Sequence, residues 1–460
     1  MVSVSGCRGV VGASMTPATV SRYVGAVAAW LKTSGGAQIG QAVALGRDGR
    51  RGGDVMHQAA AAELRASGFR VVDLGVVTTP TVGVAISEHG AAGGLVITAS
   101  HNPAQWNGLK PITSEGRAPS PESAAKIVQF FTEQTSSHVA HDQLGSMEAD
   151  GAATHSHVSR VLKAVERVAP VESIRAKRFK VAVDSVNASG AAGARMLLEA
   201  LGCELVHLYA DDSGDFPHAP EPTRENLSGA GGLADAVRQE RCAAGFAQDP
   251  DADRLAILDE RGEYIGEEYT LVIAAEAILG SMSDAKGATL AANLSTSRMI
   301  DDVAAKHGAR VLRTPVGEAH VAEALAANSG AIGGEGNGGV IWPDVVMIRD
   351  SLGAMALTLA LMARTGQTVS DLVKATPAYA IVKRKAELSG DAAKAVEAVA
   401  AHWSKARIDR QDGVRVDLDD QRAWLHVRAS NTEPILRLIA EAPDERAANA
   451  ILDEANSVIR

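Results

Sequence analysis

Strand-like and helix-like runs alternate through most of this chain, and that alternation leaves few folds open. VALGRD precedes a helical stretch from about Asp54 to Ala66, and RVVDLG and GLVITAS follow. KVAVDSVNASG leads into AAGARMLLEAL, from Ala191 to Leu201, and then into ELVHLYAD. TLAANL, a helix over Ser297 to His307, RVLRTPVG and another helix repeat the order a third time. Short β-branched runs separated by helices are βαβ units, which build mainly parallel sheets. The expected fold is α/β, with one architectural unit used three times. From about Pro377 the pattern changes to a helix over Asp391 to Trp403, the strands VRVDL, AWLHVRAS and ILRLIAEA joined by short turns, and a closing helix near Asp444. That order predicts a C-terminal α+β domain with an antiparallel sheet.

A chain of 460 residues exceeds what one core supports. The punctuation divides it into residues 1–140, 150–248, 249–368 and 375–460. Residues 133–157 are polar and aperiodic, so a linker is expected there, with His138, His141, His155 and His157 as solvated side chains. Aromatic residues are 3% of the chain and the net charge is -10, which argues against a nucleic-acid partner. Cys7, Cys203 and Cys242 show no CxxC spacing, so neither a disulfide framework nor a zinc site is expected. MVSVSGCRG lacks the pattern of a signal peptide, and no apolar run approaches the roughly 20 residues of a membrane span. The expectation is a cytoplasmic protein with reduced thiols and no membrane partner, its oligomeric state undetermined.

Four stretches carry chemistry. In GLVITASHNP, Leu95-Val96-Ile97 reads as a buried strand, so Ser100 and His101 fall where the chain leaves it, the end at which open α/β sheets bind ligands. Ser100 is a nucleophile, a phosphate ligand or a turn former. A protease-like pairing fails, because adjacent residues on an extended chain point opposite ways and GxSxG is absent. In QDPDADRLAILD, Asp249, Asp251 and Asp253 alternate, and an extended chain would put them on one face. Three converging carboxylates suit a hard cation such as magnesium, against the plainer reading of an Asp-rich turn. VRASNTEP offers Arg428, Ser430, Asn431 and Thr432 after a strand, with Arg437 on the next, a donor set for a phosphate dianion or a capped polar turn. GEGNGG embeds Glu335 and Asn337 among glycines that let a backbone approach a ligand.

Taken together, TASHNP with NGLK (Asn107 to Lys110), DPDADR, GEGNGG and RASNTEP resemble the α-D-phosphohexomutase family, in the family's order and over nearly the whole chain. The resemblance implies four domains around a central active-site cleft, each giving one loop. It makes Ser100 the phosphorylated serine, with His101 beside it. Asp249, Asp251 and Asp253 would hold Mg²⁺ together with the phosphate on Ser100. Arg8 and Lys110 match positive residues near the phosphoserine, Lys110 serving acid-base or electrostatic roles, and Arg254 adjoins the metal loop. Glu335 and Asn337 would read sugar hydroxyls, and Arg428, Ser430, Asn431, Thr432 and Arg437 would hold the non-reacting phosphate. The implied activity interconverts hexose 6-phosphate and 1-phosphate through a hexose 1,6-bisphosphate.

Two departures from the family pattern stand out. Ala252 replaces a frequent Gly, which a negative φ would accommodate. Asn337-Gly338-Gly339 replaces Ser-Gly-His, a form that resembles phosphoglucosamine mutases, with glucose and mannose phosphates as the alternative substrates. A non-catalytic sugar-phosphate sensor and a phosphatase are the competing functions on the same scaffold.

Overall fold

The computed structural model describes residues 2–3, 6–211, 213–387, 391–429 and 435–459, and among them are four sheets. In the first, Val2–Ser3, Gly6–Val10, Trp106–Thr113, Gly93–Ile97, Ala42–Arg47, Arg70–Val76 and Met147–Ala149 lie side by side in that order. The second runs Leu255–Leu258, Ala244–Gln248, Lys180–Asp184, Glu204–Leu208, and the third Arg310–Thr314, Thr289–Asn293, Ile332–Glu335, Gly339–Ile341. The fourth, Ala380–Glu387, Ile435–Ala442, Ala423–Ala429, Val414–Leu418, Arg407–Asp409, is antiparallel throughout.

The first three sheets share a plan. Each has a parallel core around Ala42–Arg47, Lys180–Asp184 or Thr289–Asn293, of three strands in the second and third sheets and four in the first. In each, one flanking strand then turns back on itself: Gly93–Ile97 into Trp106–Thr113, Ala244–Gln248 into Leu255–Leu258, and Ile332–Glu335 into Gly339–Ile341. In the fourth, Ala423–Ala429 returns as Ile435–Ala442. The connections of these four hairpins are the four motif loops. Gly93–Ile97 and Ala244–Gln248 are buried at every position, as strands covered on both faces must be, which is why they read as unbroken apolar runs.

Helix Ser351–Thr365 is buried from Ser351 to Ala363. A helix apolar on all sides belongs inside a larger body, and this one packs on Glu268–Leu279 and on the helices Ala153–Val165, Val171–Lys177 and Gly190–Ala200 of the second unit. Asp350 caps its start by accepting from the Leu352 and Gly353 N–H groups, and Gly366, left-handed, ends it. One apolar core runs from Ala42 to Leu372 through the first three units, while the fourth has its own, containing Val399, Val414, Leu438 and Leu452.

Two expectations change. Residues 133–157 are not a plain linker: Met147–Ala149 pairs in parallel with Arg70–Val76, and helix Ala153–Val165 begins within the segment. Three exposed residues paired on one side leave no alternating pattern to read. His157 is not solvated but fully buried, with Nδ1 2.9 Å from Thr81 Oγ1 and Nε2 3.2 Å from Asp350 Oδ2. The division expected at residue 249 falls inside the hairpin that joins Ala244–Gln248 to Leu255–Leu258, because the aspartate loop is that hairpin's turn.

Candidate active site

Where strand Gly93–Ile97 ends, Thr98 accepts the Ser100 N–H through Oγ1 at 2.8 Å and donates to Asp48 Oδ2 at 2.6 Å. Asp48 in turn holds Arg50 Nε at 2.9 Å. The Arg50 guanidinium donates to the Ser100 carbonyl and, at 2.7 Å, to that of Trp106, so it spans both ends of the serine loop. The clamp has a strain to hold: Ser100 has φ 50, a left-handed conformation that costs a residue with a Cβ about 1–2 kcal/mol. Asp48 and Arg50 are buried and went unrecognised in the sequence, where GRDGR reads as the end of a strand.

The aspartates converge, but by a turn rather than an extended segment. Residues 249–252 leave strand Ala244–Gln248 in a turn, and Ala252 has φ 51, so the negative φ expected of this residue is not found. All three carboxylates are fully buried, with one oxygen of each within 4.8 Å of the others. Asp249 Oδ2 accepts the Ser100 hydroxyl at 2.8 Å. Lys110, on strand Trp106–Thr113, donates to Asp251 Oδ2 at 2.5 Å and Asp253 Oδ2 at 2.9 Å. Asp251 Oδ1 and Asp253 Oδ1 are buried without a hydrogen-bond partner among the described residues. Buried carboxylate oxygens without a partner are costly unless a cation completes them, so the donor set fits a metal ion.

Electrostatics divide the triad. Burial, and then the charges of Asp253 and Asp251, push Asp249 well above the usual carboxylate range. Burial would raise Asp253 too, but Arg349, Lys110 and Arg254 hold it far below that range. Burial would lower Lys110, yet Asp251 and Asp253 outweigh it and leave the ammonium more firmly protonated than usual.

Arg254 Nη2 lies 3.3 Å from Ser100 Oγ and also donates to His101 Nδ1. Burial, Arg254 and Arg8 push the His101 pKa down to about 3, so the ring is neutral and, with Nδ1 accepting, its proton is on Nε2. His101 Nδ1 is 3.4 Å from Ser100 Oγ, so the left-handed turn at Ser100 brings together two side chains that an extended chain would point apart. Arg8, on strand Gly6–Val10, donates to Asn102 Oδ1 at 2.8 Å.

Arg8, Lys110, Arg254, Glu335, Arg349 and Arg428, side chains from all four sheet units, line a cavity of 360 Å³; Ser100 and the three aspartates are buried behind that wall, joined to it through Lys110, Arg254 and Arg349. Its size is within the range of small-ligand sites, about 300–1,000 Å³. Glu335 ends strand Ile332–Glu335, accepting from Asn293 Nδ2 at 2.9 Å and Arg349 Nη1 at 2.7 Å. Asn337 does not line the cavity but backs Glu335, with Nδ2 3.5 Å from Oε2. Gly336 is required by close packing, since a Cβ there would lie 2.0 Å from the Glu268 carboxylate.

Arg349 was missed in the sequence. It bridges Glu335 to Asp253, 2.6 Å from Nη2, and a Cβ on Gly339 would lie 2.2 Å from its Cδ. The glycine that departs from the family pattern is therefore the opening through which Arg349 passes. Arg428 reaches the cavity; Arg437 sits opposite it in the sheet register but is exposed and is not among the residues lining the cavity. Ser430, Asn431 and Thr432 lie outside the described residues.

Comparison with known proteins agrees with this assembly along the whole chain. Four models of phosphoglucomutase/phosphomannomutase match in succession: alpha/beta/alpha domain I over residues 2–138, domain II over 156–262, domain III over 266–379 and the C-terminal domain over 379–457. A phosphoglucomutase/phosphomannomutase of Thermococcus kodakarensis is 35% identical over 97% of this chain and 96% of its own. A protein of Methanopyrus kandleri named probable phosphoglucosamine mutase is 35% identical over 99% of this chain and 97% of its own. The crystal structure of a phosphoglucomutase/phosphomannomutase family protein from Burkholderia thailandensis covers 100% of this chain and 98% of its own with a TM-score of 0.82 at 27% identity. With a serine and three aspartates buried behind a cavity walled by cations from all four sheet units, the chain belongs to the phosphoglucomutase/phosphomannomutase family of phosphohexomutases.

Proposed function

We propose that this phosphohexomutase interconverts the 6- and 1-phosphates of a hexose, glucosamine phosphate foremost, through a phosphorylated Ser100 and a hexose 1,6-bisphosphate. The observation that carries the reading is Ser100 Oγ, 2.8 Å from Asp249 Oδ2 and 3.3 Å from Arg254 Nη2, Arg254 being one of the cations that, with Arg8, Lys110, Arg349 and Arg428, wall the adjoining cavity. A phosphoserine carries about two negative charges at neutral pH, and this is where the chain concentrates cations against its overall charge of -10.

Asp249, Asp251, Asp253 and the Ser100 oxygen would hold Mg²⁺, which when bound supplies positive charge to the phosphoryl oxygens. In the first half-reaction the bond from phosphorus to Ser100 Oγ breaks as a bond forms to a sugar hydroxyl oxygen, and the proton that the sugar hydroxyl loses is balanced by the one that Ser100 Oγ takes up. In the second half-reaction the bond from the other phosphorus to its sugar oxygen breaks, a bond forms to Ser100 Oγ, and the proton passes back from the serine hydroxyl to that sugar oxygen. Lys110, which donates to Asp251 and Asp253, serves acid-base or electrostatic roles beside the phosphoserine, and His101 offers an Nε2–H donor. Arg428, with Ser430, Asn431, Thr432 and Arg437 as further donors, would hold the phosphate that is not reacting. Glu335, oriented by Arg349 and Asn293, would read sugar hydroxyls or a 2-amino group, with Asn337 supporting it.

The glucosamine reading is supported by the name of the Methanopyrus kandleri relative, and the glucose and mannose alternative by that of the Thermococcus kodakarensis relative. Initial rates with glucosamine, glucose and mannose 1-phosphates, each with Mg²⁺ and its own bisphosphate, separate them by phosphorus NMR. A higher kcat/KM for the amino sugar supports the first, and equal or better rates with glucose and mannose replace it with the second. Replacing Ser100 with Ala is expected to lower turnover on the order of 10⁴-fold or more while the fold persists. Full activity in that variant would remove the phosphoserine mechanism.

A further inference from the structure

The fourth unit meets the third through polar contacts. Lys383 Nζ reaches Glu267 at 2.7 Å, Arg415 Nη1 donates to the Leu294 carbonyl at 2.6 Å, and Glu441 accepts the Arg298 N–H at 2.9 Å. One residue of this seam touches two walls of the cavity at once. Asp412, between strands Arg407–Asp409 and Val414–Leu418, accepts Arg428 Nε at 3.2 Å through Oδ1 and the Val316 N–H at 3.1 Å through Oδ2. Arg428 lines the cavity from the fourth unit and Val316 from the third.

The surroundings fix Asp412 in place. Its carbonyl accepts from His426 Nε2 at 2.7 Å; because a carbonyl only accepts, that nitrogen carries the ring proton, and Nδ1 accepts from the Ser295 hydroxyl at 2.9 Å. Gly413 has φ 64, and a Cβ there would lie 2.2 Å from the Val427 carbonyl, so the turn is pinned against its own sheet. Neither contact partner of the Asp412 carboxylate belongs to the Ser100 loop or to the aspartate triad.

We propose that Asp412 is a positioning residue for phosphosugar binding. It aims the Arg428 guanidinium into the cavity and latches the fourth unit to the Val316 turn, so that the cavity is complete only when both hydrogen bonds are made. With Nε engaged, paired contacts to a phosphate fall to the two Nη atoms. This rests on the reading of the cavity as a phosphosugar site. Removal of the carboxylate therefore weakens substrate binding and leaves phosphoryl transfer at Ser100 largely as it was.

The test compares the full-length wild type, Asp412→Ala and Asp412→Asn by steady-state kinetics and by hydrogen exchange at Val316. Asp412→Ala is expected to raise KM for the phosphosugar roughly 10-fold to 100-fold, the loss of a charge-assisted hydrogen bond. kcat should stay within about threefold, and the Val316 amide should exchange faster. Asp412→Asn keeps an acceptor for Val316 and loses the charge facing Arg428, so its KM should fall between. An unchanged KM in both variants, or a fall in kcat as large as the rise in KM, overturns the proposal. A wild type without mutase turnover would remove the functional reading instead. Calorimetric binding of glucose 6-phosphate would then decide the role of Asp412: weaker binding by the variants supports it, and equal affinity overturns it.

Discussion

Ser100 and Ala252 stand at the heart of the site in a backbone conformation that L-residues avoid, with φ values of 50 and 51. Their motifs were legible as chemistry, because a serine after a buried strand and three alternating aspartates are unusual in composition. Their geometry was not, because nothing in residue identity announces a left-handed φ outside glycine. Arg349 shows the opposite failure: the structure ties it to Asp253 and Glu335, yet the only sequence trace is a charge inside the apolar run VVMIRDSLGAM. Buried charge also sets a pH response beside the sugar loop. Burial foremost, with Glu441 and Glu267 adding and the Ser297 N–H and Lys383 opposing, pushes Glu268 up to about 8. In the unfolded chain this carboxyl titrates near 4.3 (roughly), so between the two values the folded form holds a proton that the unfolded form has released. Its contribution to stability accordingly falls as pH rises from about 4.3 to 8 and levels off beyond. Glu268→Gln should gain melting temperature relative to wild type as pH is raised from about 5 to 8; a difference that stays constant over that window would contradict the assignment.

At the level of elements, the repeated device is a strand that leaves a parallel core, makes a functional turn and comes back antiparallel. The alternation of apolar and helical runs disclosed the parallel cores, and the motifs disclosed the turns. What connected them was hidden, since pairing between Gly93–Ile97 and Trp106–Thr113, or between Ala244–Gln248 and Leu255–Leu258, leaves no local signal to separate a hairpin from a domain boundary. The Asp48–Arg50 clamp was equally hidden, because its partners Thr98, Ser100 and Trp106 lie some fifty residues away. Arg50→Lys retains the charge but gives up the planar fork that reaches two carbonyls at once. The serine turn should then relax from its strained φ, with kcat falling about 10-fold to 100-fold and KM changing little. An unaltered kcat would show that the turn holds its shape without the clamp.

For the whole molecule, a shared apolar core joins the first three units, and His157 sits at their junction between Thr81 of the first and Asp350 of the third. Replacing it with Ala leaves a void and takes one hydrogen bond from each of two buried polar partners, a loss of about 2–4 kcal/mol in urea denaturation. Activity of the folded fraction should be retained; a loss below about 0.5 kcal/mol would mark the junction as incidental. The His157 error has a physical source, since a histidine in a polar, aperiodic segment carries no sign that the helix starting at Ala153 turns it inward. The sharing of one cavity among four hairpins also bears on how the enzyme is made. Domains fold as units, N-terminal first, while a chain is being synthesised. Here the serine, the aspartates and the sugar loop are all translated before Arg428. A nascent chain on which the first three units have folded therefore holds its nucleophile and its carboxylates together without the wall that would retain a phosphosugar, and catalytic competence arrives only once the fourth unit has been made.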